Sequence, residues 1–156
     1  MSQEQRLQPI DESVGYLLKK AATALRSAMD SALRPLDLTV PQYACLEVLQ
    51  QRPGLTCSEL AKAVFVTRQS MNLVLKGLAE RGLLTRPSMP DHGKALPAEL
   101  TPAGRERLRA ATPPLRLVES KMLDAMSPGT ADRLSADLAA IATALGGNDA
   151  RGGEGL

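Results

Sequence analysis

Apolar side chains recur at Val14, Leu17, Leu18, Ala21, Leu25, Met29 and Leu33. A spacing of three or four residues puts them on one face, and it predicts a long amphipathic helix from about Asp11 to Arg34, ended by Pro35. The stretch LTVPQY that follows has the marks of a helix start. Thr39 stands as cap, Gln42 sits three residues on as in a capping box, and Leu38 and Tyr43 flank them as a hydrophobic staple. That helix runs to about Gln51, before an Arg52-Pro53-Gly54 turn.

LTCSEL repeats the device, with Thr56 as cap, Glu59 to close the box and Leu55 to staple onto Leu60. It predicts a short helix to about Val64. Thr67 caps the next helix, whose inner stripe is Met71, Val74, Leu75 and Leu78, with Gly82 as its left-handed close. Two short strand candidates, LLTR and ALPAELT, flank the tip PSMPDHGK, which predicts a hairpin with Pro97 at an edge. Thr101-Pro102 opens another helix, and Pro113-Pro114 is expected to kink or restart it. Ser127-Pro128 opens the last, striped by Leu134, Leu138, Ile141 and Leu145. The Gly-rich end GGNDARGGEGL has no apolar period.

The order of elements predicts a mainly α fold with a small β-hairpin wing. A winged helix-turn-helix over 38–112 is flanked by dimerisation helices over 11–37 and 113–145, with 1–10 and 146–156 as flexible termini. The terminal stripes are too apolar to be left in water, which points to a two-fold interface.

Composition sharpens this. The 156 residues are 44 % hydrophobic, enough for a core, yet only Tyr16, Tyr43 and Phe65 are aromatic. The core must therefore be aliphatic, which favours helices. Net charge is only +2, but it is unevenly spread: residues 54–112 carry nine Lys and Arg against five Asp and Glu, and the rest ten against twelve. The positive surplus falls on the helix-turn-helix.

The second helix of that pair carries chemistry suited to a DNA groove. Arg68, Asn72 and Lys76 are four apart and are predicted to line one outward stripe, with Gln69 beside it. Arg, Gln and Asn form bidentate bonds to base edges, and Lys pairs with phosphate or guanine. Ser70 and the free N–H groups of the helix start suit a phosphate. Thr56, Ser58, Thr67 and Arg86 complete the candidate contacts, with Lys94 at the wing tip. Double-stranded DNA is thus the expected partner. The alternatives are a solvated helix face and a winged helix kept as a protein-interaction module.

LTVPQYACLEVL, GLTCSELAKAVFVTRQSMNLVLKGLAERGLLTR and LTPAGRERL, in this order, make the chain similar to the multiple-antibiotic-resistance regulator (MarR) family. The resemblance spans about residues 11–145. It implies a homodimer held by its terminal helices, a winged helix in each subunit, and repression relieved by a small molecule, often an aromatic acid. Three positions depart from the family pattern. Phe65 stands where a Gly often opens the turn before the second helix, so a different turn is expected there. Leu73 replaces a frequent Arg. The wing reads DHGK, leaving Lys94 as its one basic tip residue after Asp91, a weaker groove contact than Arg.

For an aromatic carboxylate, Lys20 with the hydroxyls of Tyr16 and Tyr43 over a floor of Leu17, Ala21, Met71 and Leu75 forms a candidate pocket. The competing reading is a surface Lys and packed tyrosines. Cys57, at a helix start, is a candidate redox sensor or a small packed residue; Cys45 reads as core. His92 reads as a solvated wing residue or a phosphate neighbour. No zinc spacing, GxSxG, P-loop or GxGxxG is present, so neither catalysis, a metal nor a cofactor is expected. With no signal-peptide pattern and no long apolar run, the chain reads as cytoplasmic with reduced thiols and no membrane partner.

Overall fold

The computed structural model describes residues 9–86 and 97–146. Helix α1 spans Val14–Leu33 behind a single 3-10 turn, Ile10–Glu12. It begins at Val14 rather than Asp11 because Ser13 caps it, its Oγ accepting the Tyr16 N–H at 3.2 Å. A second 3-10 turn, Arg34–Leu36, holds Pro35 and closes on Asp37 in the left-handed conformation.

Helix α2, Val40–Gln51, carries the full capping box: the Gln42 N–H donates to Thr39 Oγ1 at 3.2 Å and the Thr39 N–H to Gln42 Oε1 at 3.0 Å. Each satisfies an amide that the first turn would otherwise leave unpaired. In α3, Cys57–Val64, Thr56 accepts from the Glu59 N–H at 3.2 Å, which is the outward half of the expected box. Thr67 does the same for α4, Arg68–Glu80, accepting from the Ser70 N–H at 3.0 Å.

The hairpin is short. Strands β1, Leu84–Thr85, and β2, Glu99–Leu100, pair antiparallel with Leu84 opposite Leu100 and Thr85 opposite Glu99. Pro97 precedes the paired residues, where its missing N–H breaks no ladder bond.

Helix α5, Pro102–Asp124, runs unbroken through Pro113 and Pro114, so the expected restart does not occur. Those prolines deprive the carbonyls of Arg109 and Ala110 of their helical donors. The helix continues because its inner face is anchored on both sides: Leu108 and Ala111 are buried, and Leu115 packs on the same core. Helix α6 covers Ala131–Ala144, starting later than Ser127-Pro128 suggested. Gly129, at φ 78°, turns the chain first, and the Thr130 hydroxyl donates to the Ser127 carbonyl at 2.6 Å to close that turn.

The core is aliphatic, as composition required. Leu33 at the end of α1, Leu46 on α2, Leu60 on α3 and Met71 and Leu78 on α4 are wholly buried in one cluster. Each such side chain contributes about 1.5–3 kcal/mol relative to exposure. The start of α5 is pressed onto the wing stem. The Thr101 hydroxyl donates to the Gly82 carbonyl at 2.6 Å, and the Thr101 N–H to the Leu83 carbonyl at 3.2 Å. Gly104 makes this approach possible, since a Cβ there would sit 2.0 Å from the Leu83 carbonyl oxygen.

The two ends of the chain look different. α1 packs on α5 and α2, yet its first turns leave Val14 and Leu17 in water. α6 buries no residue and has no substantial packing partner among the described residues. Leu117, Met122 and Leu123 late in α5, and Leu134 and Leu138 on α6, are also exposed.

Candidate nucleic-acid interface

The site begins at the turn between α3 and α4. Phe65 adopts the left-handed conformation, φ 64° and ψ 40°, and closes α3 by donating its N–H to the Lys62 carbonyl. The turn therefore keeps the shape a Gly would give, contrary to the expectation of a different one. The strain of a Cβ at positive φ is accepted in place, with the ring 85 % exposed. Val66 follows, its N–H bonded to the Ala61 carbonyl, and Thr67 caps α4.

Helix α4 seats Met71, Leu75 and Leu78 in the core and turns the opposite side to solvent. Arg68, Gln69, Ser70, Leu73 and Lys76 are all exposed. Asn72 is not part of that stripe, and this corrects the expectation of an outward line through Arg68, Asn72 and Lys76. Asn72 is half-buried, and its Oδ1 accepts from Arg86 Nη2 at 2.5 Å and from the Cys57 thiol at 3.4 Å. The reason is helical geometry: 100° per residue leaves Asn72 next to buried Met71 and turned toward the start of α3, while Leu73 takes the crest. The outward line is Gln69, Leu73 and Lys76, with Arg68 beside its start.

The other candidates divide. Thr56 and Thr67 are exposed at the helix starts, but their hydroxyls serve as caps; Thr67 also donates to Ser70 Oγ at 3.0 Å. Ser58 is half-buried on the first turn of α3. Arg86 stands at the foot of the wing and reaches back to α4 through Asn72. Lys94 and His92 lie outside the described residues.

The candidate pocket residues are scattered in character. Tyr16, Leu17 and Lys20 are exposed on the first turns of α1. Tyr43 is half-buried on α2, and burial first, then the Glu47 carboxylate, raises its pKa. Met71 has no exposed surface, so it is core rather than the open pocket floor expected of it. An open cleft of about 630 Å³ lies elsewhere, lined by Asp30, Arg34, Asp37, Leu38, Thr39, Gln42 and Arg81. Arg81 is its anchor, donating to the Asp37 carbonyl at 2.6 Å, and helical spacing gave no sign of that link.

The two thiols differ. Cys45 is wholly buried and free, and burial, with Cys57 as a second neighbour, pushes its pKa up to about 12. Cys57 is half-buried at the first turn of α3, its sulfur 3.8 Å from the Arg68 carbonyl. Among the described residues, no group of three His, Cys, Asp or Glu could hold a metal ion, and no helix is long and apolar enough to cross a membrane.

This geometry agrees with known proteins. A model of the MarR family matches residues 36–95. The HTH-type transcriptional repressor Rv2887 of Mycobacterium tuberculosis is 41 % identical over 113 residues, covering 72 % of this chain and 81 % of that protein. The chain belongs to the MarR family. It is a transcriptional repressor of the MarR type, and its α3–α4 pair and hairpin form the family's winged helix. The crystal structure of Rv2887 in complex with DNA has a TM-score of 0.68 and 35 % identity, covering 83 % of this chain and 97 % of that one. The structure of Rv2887 with salicylic acid has a TM-score of 0.67 and 36 % identity, over 83 % and 96 % of the two chains.

Proposed function

We propose that this MarR-family chain acts as a homodimer that binds a near-palindromic operator through α4 and lets go when an aromatic carboxylate binds. The observation that carries the reading is the outward face of α4. Arg68, Gln69 and Lys76 project into solvent from a helix whose other side is locked into the core. A rigid helix with a polar crest at its start suits the major groove. The likeness to a chain solved with DNA supports it.

The dimer follows from the terminal helices. Leu134 and Leu138 on α6, with Val14 and Leu17 on α1 and Leu117 on α5, form apolar surface that a second copy would cover. Two reading heads would then face half-sites about one turn apart.

For the effector, the salicylate complex of the relative supports an aromatic acid. Tyr16, Leu17, Lys20 and Tyr43 are the residues proposed to hold it. Tyr16, Leu17 and Lys20 are exposed in the single chain, so a second copy would have to close the pocket around them. To release DNA the ligand must bind the released arrangement better; a coupling of about 1–3 kcal/mol is typical. The test is a gel shift with the DNA upstream of the protein's own gene, with and without salicylate. Salicylate should weaken the shifted band, and Lys20→Ala or Tyr43→Phe should blunt that effect while leaving ligand-free binding intact. No shift at all would refute the reading, and salicylate responses in both variants equal to that of the parent would move the pocket elsewhere.

A second reading, release by oxidation, is favoured by the contact of Cys57 with Asn72. Hydrogen peroxide would convert the thiol to a sulfenic acid, itself reduced to water. Peroxide should then release DNA from the parent protein and not from Cys57→Ser.

A further inference from the structure

Leu73 leaves 67 % of its surface in water in the middle of α4. A single exposed leucine is unremarkable on most surfaces. Its surroundings make this one informative. Gln69 lies one turn before it and Lys76 one turn after, both exposed, and the opposite side of the helix is buried through Met71 and Leu75. Leu73 therefore occupies the crest of the face proposed to enter the groove, where it is flanked by polar side chains on both sides.

An aliphatic side chain there makes no hydrogen bond to a base edge and gains nothing from a phosphate. The major groove offers it one apolar group, the 5-methyl of thymine. We propose that Leu73 packs against a thymine methyl in each operator half-site and so fixes thymine at that position. The inference rests on the DNA-binding reading above and adds to it a base identity. The chemistry is selective in a particular way. Leu73 should reject uracil, which lacks only the methyl, and should accept 5-methylcytosine better than cytosine.

The test starts from a duplex selected by the full-length parent protein from a random-sequence pool. That duplex is remade with uracil replacing thymine at one symmetric position at a time, and binding is followed by fluorescence anisotropy. At one position, uracil should weaken the parent by about fourfold for each half-site, the worth of one buried methyl group. Leu73→Ala should bind the thymine and uracil duplexes equally. The variant should melt with the parent, because the side chain it loses is exposed. The proposal is overturned if no uracil position weakens the parent, or if Leu73→Ala keeps the same thymine preference. It is also overturned if Leu73→Ala changes self-association and not base preference, which would assign the leucine to a protein contact. Failure to enrich any duplex would instead sink the DNA-binding reading, and this inference with it.

Discussion

Arg86 at the foot of the wing donates to the Asn72 side chain in the middle of α4 across 2.5 Å. The same oxygen of Asn72 accepts from the Cys57 thiol at the start of α3. One amide thus ties together the three elements of the reading head. A side chain whose chemistry suits a base edge is engaged instead with Arg86 and Cys57. We expect Asn72→Ala and Arg86→Ala each to lower stability by about 0.5–1.5 kcal/mol, with the double variant little worse than either alone. A double-mutant cycle by urea unfolding measures this, and additive losses would show that the tie contributes nothing.

Gly104 marks a second point of close approach. A methyl group there meets the Leu83 carbonyl oxygen at 2.0 Å, and that neighbour is backbone, so it has little freedom to move. Although Ala favours helices over Gly, Gly104→Ala should destabilise the fold by about 1–3 kcal/mol or more, the range for overpacking. Denaturant midpoints of parent and variant decide it, and an unchanged or raised midpoint would mean that α5 is free to lift from β1.

Phe65 allows the opposite experiment. Its left-handed backbone is strained by roughly 1–2 kcal/mol for a residue with a Cβ, and its exposed ring gives little back through burial. Phe65→Gly should relieve that strain, offset in part by the extra freedom of Gly in the unfolded chain, for a net gain of up to about 1 kcal/mol. Phe65→Val should be clearly destabilising, since a β-branched residue tolerates positive φ poorly. Thermal melts in the reverse order would contradict the observed turn.

Cys45 gives a pH signature. Its folded-state pKa, near 12, lies above the ordinary thiol value of 9.0. Between those values the unfolded chain has lost a proton that the folded chain keeps, so stability falls as pH rises through this window and is unaffected below it. Cys45→Ala should flatten the decline between about pH 9 and 12. At neutral pH a thiol reagent should label half-buried Cys57 readily and reach Cys45 only on unfolding; equal labelling of both would contradict its burial.

Much of this was legible in the chain because it is local. Thr39, Thr56 and Thr67 cap the helices they were expected to cap, and Met71, Leu75 and Leu78 face inward as a period of 3.6 demands. What was missed depends on contacts distant in sequence. Helical spacing sets Asn72 on the flank beside Met71, but its bond to Arg86, fourteen residues on, shows only in the fold. Gly104 carried a faint signal, an unforced glycine in a helix start, but only the fold reveals the Leu83 carbonyl against it. The unbroken α5 shows packing overriding a double proline. Met71 lies on the inner stripe that its spacing predicts, but as core rather than open pocket floor, because periodicity gives direction and not accessibility.

The central claim is that α4 reads DNA from its exposed crest. It is tested most directly by anisotropy titrations of parent and Gln69→Ala on the selected duplex and a scrambled one, between about 50 and 200 mM salt. The account predicts two chains per duplex and a logarithmic loss of affinity with salt. Gln69→Ala should lose about 1–3 kcal/mol of preference for the selected sequence and keep the salt slope of the parent, since a neutral side chain displaces no counterions. Equal affinity of the parent for both duplexes, or a Gln69→Ala variant that discriminates as well as the parent, would contradict it.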